Sequence, residues 1–133
     1  MIRRDYIERL IERAAQALAQ IARFVSAGEF EPALEVIKRV RAEVMGPLGP
    51  LLERLDAQSA VELAGRYELD RIRIYAALAC EEGAIYEARG ESAPAERCFR
   101  RGLELYAAGE SAGARLLPAD RARIAAIEGK LSR

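Results

Sequence analysis

The sequence predicts an all-α protein of antiparallel helical hairpins, with about five to six helices and a C-terminal capping helix. Three observations predict it. Ala, Leu, Glu and Arg, all good helix formers, supply 77 of the 133 residues, whereas Thr and Trp are wholly absent and Val is sparse. Apolar residues recur at steps of three and four over long stretches. Gly and Pro fall where such stretches begin and end.

The first helix is expected from about Asp5 to Ala27, because Ile7, Ile11, Ala14, Leu18, Ile21 and Val25 form a heptad-like stripe that Leu10, Ala17 and Phe24 widen into a core-facing surface. Gly28 supplies its stop. Pro32 fits the first turn of a second helix carrying Ala33, Ile37, Val40 and Val44 and ending near Gly46. The run Gly46-Pro47-Leu48-Gly49-Pro50 reads as a turn, with Leu51, Leu52 and Leu55 tucked beside it. Ser59 and Glu62 have capping-box spacing, which suggests a short helix from about Ala60 to Gly65. A long helix is expected from about Glu68 to Arg89, with Leu69, Ile72, Tyr75, Ala79 and Tyr86 among its apolar positions and Gly90 at its end. Pro94 opens the next helix, whose inward stripe is Ala95, Cys98, Phe99, Leu103 and Tyr106. Pro118 starts the last, with Ile124, Ile127 and Leu131 on one face and Arg121, Arg123, Glu128 and Lys130 mostly on the other. The chain thus reads as one domain over 1–133: hairpin one at about 5–45, a connector at about 46–65, hairpin two at about 68–109 and a capping helix at about 118–131.

The chain also repeats internally. Residues 14–40 align without gaps onto 76–102 with nine of 27 positions identical, among them Gly28-Glu29 with Gly90-Glu91 and Pro32-Ala33 with Pro94-Ala95, while Phe24 lies opposite Tyr86. This unit resembles the tetratricopeptide repeat. Gly83, Tyr86, Gly90, Ala95 and Phe99 fall at that family's spacing, with Gly102 where the family usually has Ala and Ala107 where it often has Pro. The first copy keeps Phe24, Gly28, Ala33 and Ile37 but has Ile21 in place of the small residue Gly83. An offset of 62 residues replaces the family's stacking period of roughly 34, which leaves open whether the two hairpins stack. The opening Met1-Ile2-Arg3-Arg4-Asp5-Tyr6-Ile7, followed by this hairpin order, is also similar to a bacterial family of uncharacterised proteins, a likeness that implies no activity.

Composition narrows the functional classes. Formal charge is zero, so no global field draws the chain onto nucleic acid or an anionic membrane. No stretch approaches the roughly 18 apolar residues of a membrane span, and charge through Arg9 replaces a signal-type apolar run, so a cytoplasmic protein is expected. Cys80 and Cys98 are then reduced and serve as small apolar residues. With no His, no Gly-rich phosphate loop and no Cys-x-x-Cys, the reading is of a protein that is not an enzyme, with no metal site and no cofactor. Glu81 and Glu82 are adjacent, but neighbours on a helix point in different directions.

Binding surfaces remain. By resemblance to the tetratricopeptide family, the concave surface would comprise Ala15, Leu18, Ala22, Val25 and Ser26 on the first helix, and Ala77, Cys80, Ala84, Glu87 and Ala88 on the long one. These side chains are nearly all small or apolar and need a cover: the domain's own helices, a second copy in a homodimer, or an apolar partner helix. Arg97, Arg100 and Arg101 form a candidate anion patch diluted by Glu96 and Glu104. Tyr67, Tyr75, Tyr86 and Tyr106 read chiefly as core. The expectation is a protein-interaction or scaffold module, with a regulator that binds nucleic acid or a small anion through the arginines as the alternative.

Overall fold

The computed structural model describes residues 2–65 and 68–132, so Tyr67 lies outside them. Among the described residues there is no strand. Six helices of eight residues or more are joined by one shorter helix: α1 (Ile2–Ser26), α2 (Phe30–Met45), the single-turn α3 (Gly49–Arg54), α4 (Ala57–Ala64), α5 (Leu69–Ala88), α6 (Ser92–Ala112) and α7 (Pro118–Leu131). A 3-10 turn, Gly46–Leu48, leads into α3.

The two repeats make the same turn. Gly28 and Gly90 adopt φ of 75° and 79°, the left-handed conformation that glycine enters without strain. In each hairpin the next residue closes a six-residue loop, Glu29 donating to the Phe24 carbonyl and Glu91 to the Tyr86 carbonyl, both at 2.8 Å. Ala33 and Ala95 then donate to Glu29 and Glu91 at 3.3 and 3.2 Å, starting the second helix of each pair identically. Pro32 and Pro94 are the third residues of their helices, where the amide that proline lacks would have had no intrahelical acceptor.

The seams behind those turns differ. In hairpin two, Gly83, Gly102 and Gly109 lie where α5 and α6 cross. A Cβ on Gly102 would overlap the Cys80 sulfur and come 3.1 Å from the Ala76 carbonyl, and one on Gly83 would come 2.7 Å from the Phe99 ring. The equivalent positions in hairpin one hold Ile21 and Val40, both buried. With bulk at both crossings, α1 and α2 make less extensive close backbone contact than α5 and α6.

The hairpins stack: α5 packs against both α1 and α2, as well as α4, α6 and α7. Arg89–Glu31 and Arg41–Glu82 set α5 antiparallel to α2. Arg123–Glu81 and Lys130–Glu87 advance together along α5 and α7, which makes those two parallel. From Ile72 to Cys80 every side chain of α5 is buried, all apolar but Tyr75, with its polar hydroxyl, and the charged Arg73. A continuous core joins Leu10, Ala14 and Ile21 of α1 to Val36 and Ile37 of α2, Val61 of α4, Phe99 and Leu105 of α6 and Ile127 of α7.

The connector does not separate the hairpins; its α4 packs on α6 while its α3 touches α2. Two of its details correct the sequence reading. Helix α4 begins at Ala57 because Asp56 caps it, accepting from the Ser59 amide at 2.8 Å, so Ser59 is a capped residue and not the cap. Among the connector leucines only Leu52 is fully buried, Leu55 is half-buried and Leu51 is exposed. No helix among the described residues is long and apolar enough to cross a membrane.

Candidate functional site

The candidate partner surface divides between its two helices. On α1, Ala15 and Ala22 are exposed and Leu18 and Val25 half-buried, and together with half-buried Ile11 they lie at steps of four, three, four and three on one face. Helices α2 and α5 pack on the adjacent face of α1, about 100° round the helix, where Leu10, Ala14, Ala17 and Ile21 are buried, and Ile11, Leu18 and Val25 rest partly against the same core. On α5 the expectation needs correcting. Ala77 and Cys80 are buried and belong to no surface, because this part of α5 is enclosed by its neighbours and Cys80 lies against Gly102 of α6. Ala84 stays half-buried, and exposed Glu87 accepts from Lys130 of α7 at 2.7 Å.

The arginine patch is rearranged as well. Arg100 folds back on Glu96 of its own helix, donating through Nε and Nη2 at 3.1 and 2.7 Å. Arg97 and Arg101 instead border a cleft of about 280 Å³ lined also by Arg41, Glu53, Tyr75, Ala79, Glu82 and Cys98. Arg101 donates to the Leu52 carbonyl at 2.9 Å, and its guanidinium lies 5.7 Å from the centre of the Tyr75 ring. Arg41 donates to Glu82 at 2.6 Å and stands 3.6 Å from Glu53. Tyr86, read as core, is half-buried here and donates to the other Glu82 oxygen at 3.2 Å.

A third cluster escaped the sequence reading. Asp120, only 2% exposed, accepts from the Tyr106 hydroxyl at 2.7 Å, the Leu117 amide at 2.8 Å and Arg73 at 3.2 Å. Arg123, expected on the outer face of the last helix, turns inward to donate to Tyr106 at 3.0 Å and Glu81 at 3.2 Å. The only sequence signal was Asp120 three residues beyond Leu117 at a helix start, which promises an amide bond but nothing deeper. Burial pushes the Tyr106 phenol well above its ordinary range, and the neighbouring Asp120 carboxylate adds to the rise. This cluster fastens α7 to α5 and α6.

Neither thiol is activated. Burial pushes Cys80 up to about 12 and Cys98 up to about 11, so both are protonated at neutral pH and poor nucleophiles. Among the described residues no group of three or more Cys, Asp or Glu side chains is placed to hold a metal ion. No protein-family model, curated protein or solved structure matches this chain.

Proposed function

We propose that the protein is an interaction module of tetratricopeptide-like plan that binds a helix of a partner protein along the open face of α1. The observation that supports this reading is the stripe Ile11, Ala15, Leu18, Ala22 and Val25, which keeps its four-three spacing at the edge of the core, with Ala15 and Ala22 exposed and Ile11, Leu18 and Val25 only partly covered. Such spacing suits a second helix laid along the first, with small Ala15 and Ala22 admitting its backbone and Leu18 and Val25 supplying apolar contact. Left bare, the stripe would favour non-specific association.

The test pairs Leu18→Glu with Val25→Glu. Both side chains rest partly against the core, so each change is expected to cost about 0.5–3 kcal/mol, and circular dichroism and the melting temperature establish that the double variant is folded before it is compared. A photo-crosslinking residue at Ala22 is expected to attach to one apolar helix of a captured protein in the parent background and to attach to nothing in the double variant. Equal crosslinking in the two backgrounds would refute the α1 surface. A crosslink to a second copy of the chain, with sedimentation as a dimer, would replace the partner helix with self-association.

A further inference from the structure

The cleft between α2, α3, α5 and α6 has the character of a ligand site independent of the α1 stripe. We propose that it binds a carboxylate group, clasped by Arg97 and Arg101 with Arg41 behind them. Two of the three guanidiniums are already fixed: Arg41 by Glu82, and Arg101 by the Leu52 carbonyl and the Tyr75 ring. Each guanidinium carries five N–H donors in a rigid fork, so both keep donors that these contacts do not use. Arg97 is the free arm. It is exposed on the rim, one turn before Arg101, and forms no hydrogen bond or ion pair among the described residues.

Charge and size select the ligand. Three guanidiniums face two carboxylates in the lining, Glu53 and Glu82, and Asp56 acts on Arg101 from outside it, so the excess of positive charge is small and suits a singly charged carboxylate better than a dianionic phosphate. The walls between them are Tyr75, Ala79 and Cys98, so part of the lining is apolar and weakens the competition from water. The cleft, at about 280 Å³, is at the small end of the range for ligand pockets and has room for an acidic side chain or a chain terminus.

The experiment follows the arginine Nε–H resonances of the full-length protein by NMR at constant ionic strength. Three probes are added separately: N-acetylglycinate for a chain terminus, propionate for an acidic side chain, and inorganic phosphate. N-acetylglycinamide is the neutral control. One of the two carboxylates is expected to shift the Arg97 and Arg101 signals along a saturating curve with a dissociation constant of about 1 mM, and the tighter of the two identifies the source. Phosphate should bind at least about tenfold more weakly, and the amide should leave the signals in place. Arg97→Gln should weaken the curve at least about tenfold without altering the melting temperature, while Arg100→Gln, the same charge change on the same helix, should leave it intact. Shifts that never saturate, an equal response to the amide, or an undiminished curve in Arg97→Gln would each overturn the proposal. Tighter binding of phosphate than of either carboxylate would overturn the ligand class.

Discussion

Hairpin one and hairpin two turn through the same backbone geometry and then diverge. Gly28-Glu29 and Gly90-Glu91 make matching hydrogen bonds, yet one seam is filled by Ile21 and Val40 and the other closes on Gly83 and Gly102. The difference teaches that turn residues establish the repeat, while the residues at the helix crossing set how closely its halves pack. The bulkier seam belongs to the hairpin whose outer helix packs only on α2 and α5 among the described residues. A tight seam with neighbours on all sides makes a core.

The largest expected effect lies at the aligned pair Phe99 and Ile37. Phe99→Ala removes the buried ring that packs on Gly83 and should cost about 3–5 kcal/mol in urea unfolding, whereas Ile37→Ala should cost about 2–5 kcal/mol and less than its counterpart. A smaller loss at Phe99 than at Ile37 would reverse the assignment of tight and loose seams. Next comes Gly102→Ala, which forces a methyl into the Cys80 sulfur and the Ala76 carbonyl and should destabilise by about 1–3 kcal/mol. A neutral result there would mean that α5 and α6 can part without penalty, and the contrast with Val40 would vanish.

The smallest effect is one of pH. Hairpin one has Leu18 where hairpin two has Cys80, whose thiol rises from an ordinary 9.0 to about 12 through burial. A group with a raised folded-state value stabilises fully below its unfolded value and loses that contribution as the pH climbs to the folded one. Stability should therefore decline between about pH 9 and 12, with Cys98 acting in the same direction up to about 11. The urea midpoint of Cys80→Ala, followed across that range, should fall less steeply than that of the parent protein. An unchanged slope would place the alkaline sensitivity in Cys98 or Tyr106 instead.

The helices were legible because their signals are local. Leu69–Ala88 was expected at about 68–89, and the last helix does begin at Pro118, since glycine stops and proline starts depend on a few adjacent residues. The connector was less legible. Pro50 looks like a breaker in sequence, but at the start of α3 its missing amide costs nothing, and the pair Ser59 and Glu62 offers a rival to Asp56 as the cap of α4. For the candidate surfaces, resemblance to the tetratricopeptide family groups Leu18, Ala22 and Val25, which share one face of α1, whereas spacing alone sets Leu18 and Val25 in a stripe with the buried Ala14 and Ile21. It had no means of showing that α6 would cover Cys80 or that Arg41, far away in sequence, would join Arg97 and Arg101. Arg123 was assigned outward for the same reason: its partners Glu81 and Tyr106 are 42 and 17 residues distant.

The Asp120 cluster bears on how far the second repeat is a module at all. Arg73 meets its carboxylate 47 residues further along the chain, and the Tyr106 hydroxyl meets the same one 14 residues on. A fragment carrying α5 and α6 without α7 would hold a guanidinium and a phenol facing an emptied interface, with their hydrogen bonds unmade. Hairpin two is therefore not transplantable as it stands. Grafted into another scaffold, it must bring its own α7 or have Arg73 and Tyr106 replaced by apolar residues, whereas hairpin one, with no buried charge among its described residues, carries no such obligation.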